Sequence, residues 1–141
     1  MAKNVIVSLV GIKGIATGDD PGFNLEIYGD LFARRVFVNE VGEFHPLETH
    51  HLWHRNDTDR IQVTEGSTHT INSSSPQFAI HPGEFLWIGG HLADHDEFSN
   101  NDNLGFIDKK IPHDFIQSGP AGVVFQESEQ IVEARYNILV S

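Results

Sequence analysis

Cysteine is absent from the 141 residues, which removes disulfides, thiolate zinc sites and thiol nucleophiles while leaving the redox compartment open. Basic residues are scarce. Nine Lys and Arg stand against twenty Asp and Glu, for a formal charge of −11 and a pI near 5.0. That balance opposes nucleic-acid binding, whose electrostatic footprint is basic. It also opposes docking on an anionic membrane unless cations change the local sign. Long apolar runs are missing too. The run Val5 to Val10 is interrupted by Ser8, so no signal peptide or membrane span is expected, and the cytoplasm or a membrane periphery is the default location. No stretch has the period of a long amphipathic helix, and Pro112 to Gln117 is the one short candidate. Catalytic motifs are equally thin. There is no Gly-x-Ser-x-Gly elbow, and the glycines from Gly11 to Gly18 precede a strand rather than a helix. The paired carboxylates Asp94 and Asp96 share one loop instead of facing each other across a cleft. The chain reads as a binding module, not an enzyme.

What is present is a single-domain length of ordinary globular composition, 39% hydrophobic and 21% charged, enough to bury a core without staples. The apolar pattern comes in short β-type stretches. Asn4 to Ile15 is β-branched, ending near Gly14, and Ala16 to Gly22 is a cluster of turn formers. Phe23 to Tyr28 alternates, Gly29-Asp30 reads as a turn, and Leu31 to Val38 follows as a strand. Arg60 to Thr64 and Thr68 to Asn72 suggest a hairpin around Glu65-Gly66. Gln77 to Ile80 and Glu84 to Leu92 flank the turn His81-Pro82-Gly83, and Trp87 reads as core. Gly105 to Ile111, Val123 to Phe125 and Ile131 to Val140 complete the set. The expectation is all-β: an antiparallel two-sheet β-sandwich of about seven to nine strands in one domain, 1–141.

Between the apolar runs Phe85 to Ile88 and Phe106-Ile107 lies Leu92 to Gly105, which holds Asp94, Asp96, Glu97 and Asp102 with no basic residue among them. Charges so close repel. A chain tolerates that where a cation gathers them, and Ca²⁺ takes carboxylate, hydroxyl and carbonyl oxygens in flexible geometry. An EF-hand does not fit, since Phe98 and Ser99 stand where that loop needs a small polar residue and Gly. The other reading of the loop is a plain turn in which Asp, Asn and Ser bond their own backbone.

The spacing Asp94-x-Asp96-x-x-Ser99-x-x-Asp102, ending in Asn103-Leu104-Gly105, resembles the third calcium loop of C2 domains, which are Ca²⁺-dependent phospholipid-binding β-sandwiches. The resemblance implies that Asp94, Asp96, Ser99 and Asp102 are side-chain ligands for Ca²⁺. It implies that His95 and Asn100 contribute main-chain carbonyls, and that Phe98 stands at the loop tip and enters the bilayer. Asp20-Pro21 is similar to the Asp-Pro of the family's first loop, which makes Asp20 a further ligand. There the chain departs from the pattern. Gly14 stands where the family has another Asp, and Gly22 intervenes before the aromatic; Asp19 can substitute by proximity. The distance from Asp20 to Asp94 is longer than in the family, so the resemblance also implies an insertion somewhere in 39–75.

That segment holds His45, His50, His51 and His54. A zinc or copper site there is one reading, but neither His-Glu-x-x-His nor a cupin-type His-x-His with a following Glu is present, and exposed or locally bonded histidines are expected. Two functions remain. One is a Ca²⁺-binding module that docks on phospholipid when loaded. The alternative is a Ca²⁺-stabilised structural, toxin, or carbohydrate- or protein-interaction sandwich, which the absence of a basic patch favours; Lys109-Lys110 is the only adjacent Lys pair.

Overall fold

The computed structural model describes residues 1–18, 24–96 and 100–141. Among them are ten strands: β1 (Lys3–Thr17), β2 (Asn24–Val38), β3 (Phe44–Arg55), β4 (Ile61–Thr64), β5 (Thr68–Ser74), β6 (Phe78–Ile80), β7 (Glu84–Asp94), β8 (Asp102–Pro112), β9 (Gly119–Glu127) and β10 (Gln130–Val140). They form two antiparallel sheets. One has the order β5-β1-β10-β9 with β6 also on β1, and the other β3-β2-β7-β8 with β4 also on β2. The expected sandwich is present, with ten strands rather than seven to nine. The surplus comes from edges that are interrupted. β5 and β6 pair with successive parts of β1, and β3 and β4 with successive parts of β2, so each sheet is four positions wide.

Alternation along the strands builds the core. Val5, Val7 and Leu9 of β1 meet Leu25, Ile27 and Leu31 of β2, Leu86, Ile88 and Leu92 of β7, and Val132, Ala134 and Tyr136 of β10. The buried Tyr136 hydroxyl donates to the carbonyls of Phe32 and Gly89 at 3.3 and 3.2 Å, which satisfies its polar end inside the sandwich. Burial pushes that phenol far above its usual value.

Three local expectations are corrected. Gly29-Asp30 is not a turn, because β2 runs unbroken from Asn24 to Val38. Gly29 has φ +138°, and a Cβ there would stand 2.0 Å from the His91 carbonyl oxygen; it marks a close approach of two backbones within the sheet. Glu65-Gly66 is not a hairpin either. β4 lies on β2 while β5 lies on β1 in the other sheet, because Ile61 and Val63 must be buried. The chain crosses between sheets over Gly14, whose N–H donates to the Ser67 carbonyl and whose carbonyl accepts from the Gly66 N–H. Trp87 is buried, at 5% exposure, yet outside the inter-sheet core. It lies on the outer face between β2 and β8, against the Phe44 ring and under Lys110 Nζ.

Residues 39–75 supply β3, β4 and β5 to the two sheets. β3 is an edge strand broken twice in register, near Leu52 and Leu47, and interrupted by Pro46, devices that blunt a sheet edge. The expected short helix appears as a single 3₁₀ turn, His113–Phe115, where His113 Nε2 bonds the Met1 carbonyl. No helix among the described residues is long and apolar enough to cross a membrane.

Candidate functional site

The acidic segment leaves the sandwich where β7 ends and β8 begins. Asp94 and Asp102 are directly opposed in register, so two carboxylates start the loop side by side. Asp94 is almost fully buried, at 1% exposure. Its Oδ1 accepts the Glu26 N–H at 2.8 Å and its Oδ2 accepts from Gln130 Nε2 at 3.2 Å. A carboxylate sunk between two sheets is stable only with such donors. Gln130 opens β10 and pairs with Thr17, the last residue of β1, so this end of both sheets is drawn together around Asp94.

A residue that sequence reading missed stands beside it. Asp57 lies in the 3₁₀ turn Asp57–Asp59 between β3 and β4. Its Oδ1 is bonded to His95 Nδ1, and its Oδ2 accepts from Asn101 Nδ2 at 3.3 Å. Asn101 is the organiser. Its amide also donates to the Tyr28 hydroxyl at 2.9 Å, and its Oδ1 accepts the Asp96 N–H at 2.9 Å. The His95 N–H in turn donates to the Glu26 carbonyl. The acidic loop is thereby tied to the turn before β4 and to the start of β2. Asn56-Asp57-Thr58-Asp59 reads in sequence as an ordinary turn former, and only the topology places it here.

Of the expected ligands, Asp94, His95, Asp96, Asn100 and Asp102 belong to this end of the sandwich; Asn100 is exposed and immediately precedes Asn101 and β8. Asp19, Asp20, Phe98 and Ser99 lie outside the described residues. The strand ends that bracket 19–23 are at the same end. Thr17 N–H donates to Glu65 Oε1 at 3.2 Å, and Asn24 pairs with Thr64 and accepts its hydroxyl at 2.7 Å. The donors present are carboxylate, amide and hydroxyl oxygens, the set that suits a hard divalent cation. Among the described residues no group of three or more His, Asp or Glu is arranged to hold a metal by itself. Within the described part of the site, the carboxylates of Asp57 and Asp94 already have hydrogen-bond donors.

The histidines of β3 are spread rather than gathered. His45 bonds Asn39, His50 bonds Glu48, and His54 Nδ1 bonds Asp30 Oδ1 at 2.5 Å, while His51 meets the Phe32 ring edge-on. The Asp30 carboxylate raises the His54 imidazole above its ordinary value.

No protein-family model matches this chain, and no curated protein matches it. Solved structures do. Over 99% of its length the chain is similar to human GIVD cytosolic phospholipase A2, at 13% identity and a TM-score of 0.49, and spans 16% of that enzyme's chain. It is similar over 99% of its length to the C2A domain of plant extended synaptotagmin 1, at 10% identity and a TM-score of 0.49, covering 94% of that domain. A further structure described as a C2 domain matches at 15% identity and a TM-score of 0.39, with 98% of it covered. Two of these three structures are described as C2 domains. These are likenesses of backbone arrangement at low identity.

Proposed function

We propose that this chain is a C2-like Ca²⁺-binding module that docks on phospholipid surfaces when loaded, and that it acts by binding rather than by catalysis. The observation that carries the reading is the convergence, at one end of the sandwich, of Asp57 from the turn before β4 with Asp94, Asp96 and Asp102 from the β7–β8 loop. Asp57, Asp96 and Asp102 would hold the ion, together with Asp20, Ser99 and the carbonyls of His95 and Asn100. Asp94 would anchor the loop through Glu26 and Gln130. When bound, Ca²⁺ supplies positive charge and open coordination positions for phosphate oxygens. The chain's part is to keep the carboxylates close, to hold the loop root against the sheets, and to present Phe98 to the bilayer.

The test is calorimetric Ca²⁺ titration followed by co-sedimentation with phosphatidylserine/phosphatidylcholine vesicles, in millimolar Ca²⁺ and in chelator. Saturable Ca²⁺ binding with Ca²⁺-dependent pelleting is the expected result. Binding without pelleting selects the Ca²⁺-stabilised interaction sandwich, which the low basic content favours. No Ca²⁺ binding leaves the loop as a turn.

A further inference from the structure

At the end of the sandwich away from Asp94, β8 breaks the rule that inward-facing residues are covered. Ile107, Lys109 and Ile111 pair with Gly90, Ile88 and Leu86, and these β7 partners lie in the core with Leu86 and Ile88 fully buried. Yet Ile107 is 39% exposed, Lys109 is exposed, and Ile111 is only half-buried. The cause is that the edges of the two sheets part here. β9 begins with Gly119-Pro120, and between it and β8 lies an open cleft of about 310 Å³, at the lower end of the range usual for small-molecule sites.

One wall of the cleft is Ile111 and Phe115, the other Pro120, Ala121 and Ile138, with Lys109, Gln117 and Ser118 as its polar lining. Phe115 is 75% exposed at the mouth. Ile138, at 3% exposure, joins the cleft to the core. In a chain of net charge −11, Lys109 forms no ion pair with any described acidic residue. Lys109 thus stands at a partly apolar cleft with no counter-charge among the described residues.

We propose that this cleft binds a single-chain anionic amphiphile of the fatty-acid class, its acyl chain between Ile111, Phe115, Ala121 and Ile138 and its carboxylate on Lys109. The apolar side chains of the two walls choose the chain, and the Lys109 ammonium chooses the sign of the head group. The cleft is remote from the acidic loop, so the inference does not rest on the Ca²⁺ reading.

The experiment is calorimetric titration of the full chain with dodecanoate, below its micellar concentration and in chelator, with decanoate, octanoate and dodecyltrimethylammonium as comparisons. One-to-one binding of dodecanoate is expected, weakening about fourfold for each methylene removed. Lys109→Gln should weaken it about fivefold and abolish the preference for the anion over the cationic amphiphile. Ala121→Leu should fill the cleft and remove binding, and a melting curve will show whether that variant folds. If it does not, the chain-length series and Lys109→Gln decide. No saturable binding, or equal affinity for anion and cation in the parent, overturns the proposal. Lys109 would then be an inward charge that keeps an edge strand from pairing with another chain.

Discussion

Gln130, the first residue of β10, donates from Nε2 to Asp94 Oδ2 across the space between the sheets at 3.2 Å, and its own Oε1 is buried without a hydrogen-bond partner among the described residues. The pair couples the root of the acidic loop to the opposite sheet. Gln130→Ala removes one donor to a buried carboxylate, so the variant should lose about 1–3 kcal/mol in chelator, read by urea denaturation. An unchanged midpoint would mean that the Glu26 N–H alone holds Asp94.

Asp102 faces Asp94 directly across the strand pair, an arrangement of like charges that destabilises a sheet. In chelator, Asp102→Asn should therefore melt higher than the parent. In excess Ca²⁺ the order should invert, because ligand binding to the folded state contributes about 2.7 kcal/mol at 100 times Kd and the variant forfeits part of it. Thermal melts of both proteins in both buffers check the sign reversal. A parent midpoint indifferent to Ca²⁺ refutes the metal assignment.

At the other end of the sandwich Arg35 grips Glu84 with two hydrogen bonds, Nε to Oε1 at 2.8 Å and a terminal nitrogen to Oε2 at 2.9 Å. The guanidinium, helped by the His81 N–H, holds the Glu84 carboxyl below its usual value. A depressed carboxylate contributes stability above its unfolded-state pKa and loses it as pH falls through the folded one. Glu84→Gln should cost about 2 kcal/mol at pH 7 and flatten the stability profile below pH 4.5, where the parent falls. Parallel slopes of the two proteins in that window would contradict the assignment.

His54 behaves in the opposite sense. With its value raised by Asp30, the imidazole's contribution is complete below about pH 6.5 and fades as pH rises through the folded value. A proton NMR titration should give His54 a midpoint above 6.5, and Asp30→Asn should bring it down. Coincident midpoints in the two proteins would show that the 2.5 Å contact carries no charge in solution.

The sandwich was legible because its strands are short, alternating and separated by turn formers, and the acidic loop because Asp94, Asp96 and Asp102 sit close in sequence. Asp57 was hidden for the converse reason. It lies in a turn that only the pairing of β4 on β2 brings next to His95 and Asn101, and long-range placement leaves no local trace. Gly29 misled because Gly-Asp is strong turn chemistry, whereas here the missing Cβ admits the His91 carbonyl of a neighbouring strand. Trp87 alternates like a core residue, but an outer face roofed by Phe44 and Lys110 buries an aromatic equally well.

The passage of the chain over Gly14 has a thermodynamic corollary. Backbone bonds from Gly14 to Gly66 and Ser67 join β1 to the connection that leaves the other sheet, close to where Thr17 meets Glu65 and Gln130. Separating the sheets at that end would break main-chain hydrogen bonds as well as side-chain packing. A ligand arriving there meets preorganised strand ends, so little of its binding free energy is lost to assembling them.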